Sequence, residues 1–230
     1  MNNTELELLK IIADMDGTPD GAFNIRANGG LAERHVTENV DIRTKTDKSG
    51  IDIIIKAGTK GEKIHIPVII SETGLSELVY NDFHVGANCD VVIVAGCGIH
   101  NGGDADSDHS GIHRFFLDKG ARVKYIEKHY GSGEGTGKRV MNPTTECTLA
   151  EGAYMEMETV QIKGIDSTIR NTNATIAEGA TIIVREKIMT HGEQYAETNF
   201  DVQMNGDGCS ANIVSRSVAK DKSKQLFKSS

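Results

Sequence analysis

At 230 residues, with 38% hydrophobic and 25% charged content, the chain is long enough for one sizeable core and too apolar to be disordered. Twenty-five Gly against three Pro, with no Trp, five Tyr and six Phe, make a turn-rich, aromatic-poor inventory that argues against a helix bundle. The 25 Lys and Arg against 33 Asp and Glu leave a net charge of −8, which repels phosphate backbones and anionic membranes, so neither nucleic acid nor a membrane is expected as a partner.

The start, Met1 to Lys10, lacks a cationic leader segment, and no run approaches the roughly 18 apolar residues of a membrane span. A cytoplasmic location follows by default. Leu6, Leu9, Ile12 and Ala13 recur at three- and four-residue spacing and predict a helix within Thr4–Met15. The turn-forming run Asp16 to Gly21 stops it, so residues 1–20 read as an N-terminal helix and 21–230 as the body. Short alternating runs then predict strands, among them Ile51 to Ile55 and Lys63 to Ile70.

From Gly86 onward the chain repeats itself. A Gly-Ala step before an alternating run occurs at Gly86-Ala87, Gly120-Ala121, Gly152-Ala153 and Gly179-Ala180, with a looser copy at Gly208-Cys209, at intervals of 34, 32, 27 and 29 residues. Alternation predicts Ala121, Val123 and Tyr125 on the buried face of one unit, Ala153, Met155 and Met157 on the next, and Ala180, Ile182 and Val184 on a third. Units that cannot bury an apolar face alone must stack, which favours an all-β solenoid over a β-sandwich. The small Ala at each turn and the scarcity of aromatics point the same way.

Two loops stand out, Ala105 to Ser110 and the glycine-rich Gly131 to Lys138. The second is not a phosphate cradle, because Lys138 is followed by Arg139 and not by Ser or Thr; it reads as a surface loop. Hydrolase elbows and His-Glu-x-x-His pairs are absent. Glu156, Glu158, Glu186, Asp201 and Asp207 are expected mostly on outward, solvated strand positions, so carboxylate-pair enzymology is the weakest of the functional readings.

The chemically dense stretch runs from Cys89 to His129, with His84 nearby. Thiolates and imidazoles together suit iron, zinc or an iron–sulfur cluster, and Cys97 with His100, His109 and His113 is the candidate ligand set. Cys89, Cys147 and Cys209 sit in strand-like runs or beside repeat turns and read as packing residues; the four cysteines form no CxxC and fit free thiols. His65 alternates with isoleucines and is assigned no role, and His191 reads as a loop residue.

Three segments, Val94 to Ile99, Asp108 to His113 and Lys119 to Tyr125, together with the tail Ile213 to Phe227, resemble in order and spacing the core of the SufB/SufD proteins. These are scaffold subunits for iron–sulfur cluster assembly that work with the ABC ATPase SufC. The resemblance covers roughly residues 70–228 and implies a right-handed parallel β-helix. It implies that Cys97 matches a cysteine implicated in accepting sulfur, with Ala95-Gly96 where the family has Glu-Gly. His113 matches a histidine of the family's Gln-Leu-His segment and Cys147, more weakly, a family cysteine. The family's later β-helix rungs, cluster-linked His-Glu-Ala motif and SufC-docking helices have no counterpart before Ser230, and the long bacterial N-terminal region is missing, so the compact SufB/SufD type is expected. The resulting expectation is a non-enzymatic scaffold that carries a transient iron–sulfur cluster and pairs with a second copy or a related chain; the alternative is a metal-free structural module that dimerises.

Overall fold

The computed structural model describes residues 1–230. One helix, α1 (Asn3–Ala13), precedes β1 (Phe23–Ala27), β2 (Gly30–His35), β3 (Val40–Thr44), β4 (Gly50–Ile55), β5 (Lys60–His65) and β6 (Val68–Ile70). The long strands follow: β7 (Ser76–Val85), β8 (Asp90–His100), β9 (Ser107–Leu117) and β10 (Arg122–Ser132), then the shorter β11 (Arg139–Met141) and β12 (Thr144–Leu149). The chain ends with β13 (Tyr154–Lys163), β14 (Ser167–Ile176), β15 (Thr181–Thr190), β16 (Tyr195–Met204), β17 (Ser210–Ala219) and β18 (Lys224–Ser229). They wind into a β-solenoid of about six turns, as the repeats predicted. One sheet stacks β17, β15, β13, β10 and β8 onto β5, β6, β1 and β2; the other stacks β18, β16, β14, β11 with β12, β9, β7, β4 and β3. All neighbours are parallel except the hairpins β1–β2 and β3–β4 that begin each stack.

What sets the period is one turn, repeated. Asp90, Arg122, Tyr154, Thr181 and Ser210 lie in register, so successive rungs are 32, 32, 27 and 29 residues long. Two residues before each stands one with left-handed backbone: Asn88, Gly120, Gly152, Gly179 and Gly208, with φ between 56° and 67°. Only Gly, or Asn at a small cost, takes that conformation readily. The expected first copy, Gly86-Ala87, is therefore two residues out of phase; Asn88-Cys89 is the equivalent pair, and Gly208-Cys209 is a true copy. Backbone amides link the turns along the axis, as where Asn88 donates to Lys119 and Gly120 to Glu151.

The predicted inward residues of three rungs, from Ala121 to Val184, are all at most 1% exposed, and they belong to a core cluster of 30 buried residues. Cys89 and Cys147 lie in this cluster, while half-buried Cys209 packs at its edge. The second half of each rung is different. Continuing along the same strands in the same phase, the inward residues become Glu127 and His129 on β10, Thr159 and Gln161 on β13, and Glu186 on β15. Facing them are His109 and His113 on β9, Thr168, Arg170 and Thr172 on β14, and Thr198 on β16. The interior is thus apolar along one side and largely polar along the other, where Val68, Ile70, Ile99, Met141 and Ile165 form a small apolar cluster around Cys97. Glu186, expected in solvent, is 1% exposed: the alternation that turns Ile182 and Val184 inward turns Glu186 inward as well.

Residues 107–110, expected in a loop, begin β9. The glycine-rich loop before β11 stacks on the preceding rung's loop, where side chains on Gly133, Gly135 and Gly137 would overlap the carbonyls of Asn101, Gly103 and Ala105.

The helix α1 starts with a capping box between Asn2 and Glu5, ends at left-handed Asp14, and lies across the outer face of β6, β8 and β10. Leu8, Leu9, Ile12 and Ala13 are buried there against Phe23, Ile25, Ile69 and Val94, whereas Leu6, expected on the buried face, is 49% exposed. Close approach depends on Gly96, whose Cβ would overlap the carbonyl of Ile12, and on Gly98 beneath Leu8. Gly96→Ala is expected to cost about 1–3 kcal/mol by overpacking this contact, read as a lower urea midpoint and faster amide exchange in α1. Wild-type exchange in α1 would contradict the docking.

Candidate functional site

Gly96 and Gly98 point outward under α1, so the residue between them points into the solenoid. Cys97 is 5% exposed and lies beside Val68 of β6 and His129 of β10 in its sheet. Both sheets are interrupted here by proline, which cannot donate to a ladder: Pro67 separates β5 from β6, and Pro143 separates β11 from β12. Behind these breaks is a cavity of about 20 Å³, room for roughly one water-sized atom, lined by Cys97, His109, His113, Glu127 and His129 with Met141 and Pro143.

Three of the four predicted site residues, Cys97, His109 and His113, therefore meet on one cavity, although His109 and His113 come from the opposite sheet. His100 does not join them. It ends β8, three residues past Cys97, and its Nδ1 pairs with the Ser132 hydroxyl at 3.1 Å. Glu127 and His129 were not singled out from the sequence, yet they continue the inward phase of Val123 and Tyr125 and could have been found by extending it.

The hydrogen bonds assign the ring nitrogens. Asn81 Nδ2 donates to His113 Nε2 at 3.2 Å, so His113 Nδ1 donates to the Tyr125 hydroxyl at 2.7 Å, which donates to Glu127 Oε1 at 3.1 Å. Arg170 pairs closely with Glu127 Oε2, donates to His129 Nδ1 at 3.2 Å, and directs its Nε towards Glu186, 3.6 Å away. Thr198 and Ser215 donate to Glu186 at 3.0 and 2.8 Å. His113, Glu127 and His129 are all engaged in this way. His109 is engaged on one side only: its Nδ1 donates to Glu77 Oε1 at 3.1 Å, and Arg26 Nε donates to Glu77 Oε2 at 2.9 Å.

Electrostatics follow from burial and these partners. Burial, reinforced by Glu77, Glu127 and Asp108, pushes the Cys97 thiol well above its usual range, so it is protonated at neutral pH. Burial would raise Glu127 too, but Arg170 and His129 hold its carboxyl well below the usual range. Glu77 is likewise lowered, against burial, by His109 and Arg26. Burial lowers His113 to about 4, so its ring is neutral. The Cys97 thiol has no hydrogen-bond partner, unlike Cys89, which donates to the Lys56 carbonyl at 3.0 Å.

At this cavity no three donor atoms converge into a metal cage. The grouping that does converge is Asp52, Asp82 and His84 on the outside of the other sheet, where Lys45 bonds both aspartates and Arg114 bonds Asp82. Those cations already supply the positive charge. An open groove of about 690 Å³ along the Gly131–Arg139 and His191–Tyr195 loops lies away from Cys97 and offers balanced charge, with Lys138 and Lys163 against Glu134 and Glu193.

No helix is long and apolar enough to cross a membrane. No curated protein sequence matches the chain significantly. The family model for the SUF system FeS cluster assembly SufBD core domain, however, matches residues 73–230, a span that holds the solenoid from just before β7 onward and all the cavity-lining residues except Ile66 and Val68. With more than half its length matched, and the β-solenoid and buried cysteine in place, the chain belongs to the SufB/SufD family of the SUF iron–sulfur cluster assembly system.

Proposed function

We propose that the chain is a scaffold subunit for iron–sulfur cluster assembly, not a turnover catalyst, and that Cys97 is its sulfur-accepting residue. The observation that carries this reading is the cavity itself: one thiol without a hydrogen-bond partner faces a space for a single atom, inside a polar lane built of histidine and carboxylate. The cluster is cargo in this scheme, held transiently. His109 and His113 share the cavity with Cys97, while His100, bonded to Ser132, lies outside it; Cys97 is the residue this reading takes as sulfur acceptor. A SufC-type ABC ATPase is the proposed partner, and a second SufB/SufD-like chain, identical or related, is proposed to complete the scaffold in the cytoplasm.

Anaerobic reconstitution with ferrous iron and a hydropersulfide sulfur source tests the reading. Wild type is expected to gain visible absorption with iron and sulfur bound, and Cys97→Ser to lose most of both. Equal uptake by the variant would overturn it.

One observation favours a second reading, a dimerising module without metal. Strands β17 and β18 are paired on one side only, and Val218, Leu226 and Phe227 are 51%, 41% and 43% exposed there. Such edges recruit partners. Light scattering on metal-free protein would give a dimer on this reading, with Cys97→Ser assembling normally and reconstituting as wild type does.

A further inference from the structure

Resting on the reading of Cys97 as sulfur acceptor, we infer that His109 is the base that deprotonates its thiol and that Glu77, anchored by Arg26, is the positioning residue for His109. The thiol needs such a base. A buried thiol is a poor nucleophile until its proton is removed, and removal into a site flanked by carboxylates requires an acceptor in place.

Of the cavity's three histidines, His109 alone has a ring nitrogen with neither a hydrogen bond nor a paired carboxylate. Its side chain is 7% exposed, its Nδ1–H is donated to Glu77, and the lone pair on Nε2 is left free. His113 has both nitrogens bonded, and His129 accepts from Arg170 on Nδ1 with Nε2 turned to Glu127 at 3.6 Å. The orienting carboxylate is itself fixed: the Glu77 side chain is 7% exposed, and the Arg26 that holds it also donates to the Gly29 carbonyl at 2.7 Å and the Ser49 hydroxyl at 3.0 Å. Glu77 stands opposite His109 in the β7–β9 ladder, so backbone register delivers the pair. Nucleophile, base and base-orienting carboxylate thus come from β8, β9 and β7. No hydrogen bond joins Cys97 to His109; both line the one-atom cavity, which has room for a water to pass the proton and afterwards for one sulfur.

The transfer balances without oxidant or reductant. His109 Nε2 takes the Cys97 proton, and the thiolate attacks the outer sulfur of a donor hydropersulfide, R–S–SH. One S–S bond forms to Cys97, the donor's S–S bond breaks, and the R–S⁻ leaving group takes the proton from the imidazolium. The products are Cys97–S–SH and R–SH, and Glu77 stabilises the imidazolium between the two proton transfers.

The test is the rate at which intact protein gains one sulfur atom from glutathione hydropersulfide, mapped to Cys97 by peptide mass and followed from pH 6 to pH 9. The groups acting on the pair are Glu77 of β7 with Arg26 of β1, Asp108 and His113 of β9, and Glu127 and His129 of β10. His109→Gln is expected to slow loading about 100-fold at pH 7 and to make the rate climb with pH as for an unassisted thiol. Glu77→Gln, nearly isosteric and so the safer variant for folding, is expected to slow it about tenfold or more and to move the profile in the same sense. His113→Gln should leave the shape of the profile unchanged. Wild-type rates and an unchanged profile in both Glu77→Gln and His109→Gln would overturn the inference while leaving Cys97 as acceptor; failure of wild type to load Cys97 at all would overturn the underlying reading.

Discussion

Arg170→Met is expected to destabilise the protein by about 3–5 kcal/mol at pH 7, the largest loss from any single substitution in the polar lane. Arg170 is 1% exposed and lies between two carboxylates that are themselves 3% and 1% exposed, Glu127 and Glu186. Methionine fills much of the same volume but removes the one guanidinium that both acids share in a low-dielectric interior. What remains is weaker: the Tyr125 hydroxyl and, at 3.6 Å, the His129 ring for Glu127, and the Thr198 and Ser215 hydroxyls for Glu186. The cost is therefore that of stranded charge and not of lost packing. It follows that Arg170→Met combined with Glu127→Gln and Glu186→Gln should regain most of the stability, because no ion is then left unpaired. Urea denaturation of the single and triple variants checks this. A single variant within about 1 kcal/mol of wild type would mean that the interior admits enough water to screen the two acids.

Acidification is expected to unfold the protein in two stages. The first begins near pH 6.5. His113 is lowered from the usual 6.5 to about 4 by burial first, and by the neighbouring imidazoles and Arg170, with Glu127 opposing. A histidine depressed in the folded state takes up its proton in the unfolded chain first. Its effect is nil above pH 6.5, grows as pH falls from 6.5 to 4, and then saturates at roughly 3 kcal/mol. His65 adds to this window, since burial and Lys63 lower it to about 4 as well, and its Nδ1 is buried without a partner. The second stage lies below the ordinary glutamate value of 4.5. Glu127 and Glu77 are depressed in the folded state, so the stability they contribute is present above pH 4.5 and is lost as pH falls towards their folded values. Stability measured from pH 8 to 3 should be flat, then fall between 6.5 and 4, then fall further. His113→Gln should reduce the slope of the first stage by about 1.4 kcal/mol per pH unit, one proton's worth. An unchanged slope in that variant would contradict the assignment of a neutral, buried His113.

How far the sequence discloses this architecture depends on the residue. The rung length was readable because one turn conformation recurs and glycine marks it in four of the five long rungs; the fifth uses Asn88, which is why Gly86 drew attention to the wrong position. Inward apolar residues such as Val123 and Met155 were readable by alternation alone. Glu127, His129 and Glu186 obey the same alternation, but a charged side chain suggests solvent until its partner is known, and Arg170 lies 43 residues from Glu127 in the chain. Cys97, His109 and His113 could be nominated by residue type, whereas placing His100 away from their cavity required seeing that β8 runs on past Cys97 and carries it to Ser132. Glu77 had no signal of its own. Only the register of β7 against β9, 32 residues apart, puts its carboxylate on the ring of His109.

The central claim is that the buried thiol of Cys97, and not a more accessible one, receives sulfur. Folded protein carries four free cysteines, of which Cys89, Cys97 and Cys147 are buried and Cys209 is half-exposed. Incubating it with a hydropersulfide donor and mapping the added sulfur by peptide mass tests this directly. The account predicts sulfur on Cys97, one atom per chain, with Cys89 and Cys147 unmodified and Cys97→Ser empty at that position. Sulfur confined to Cys209, where exposure alone would direct it, would contradict the account.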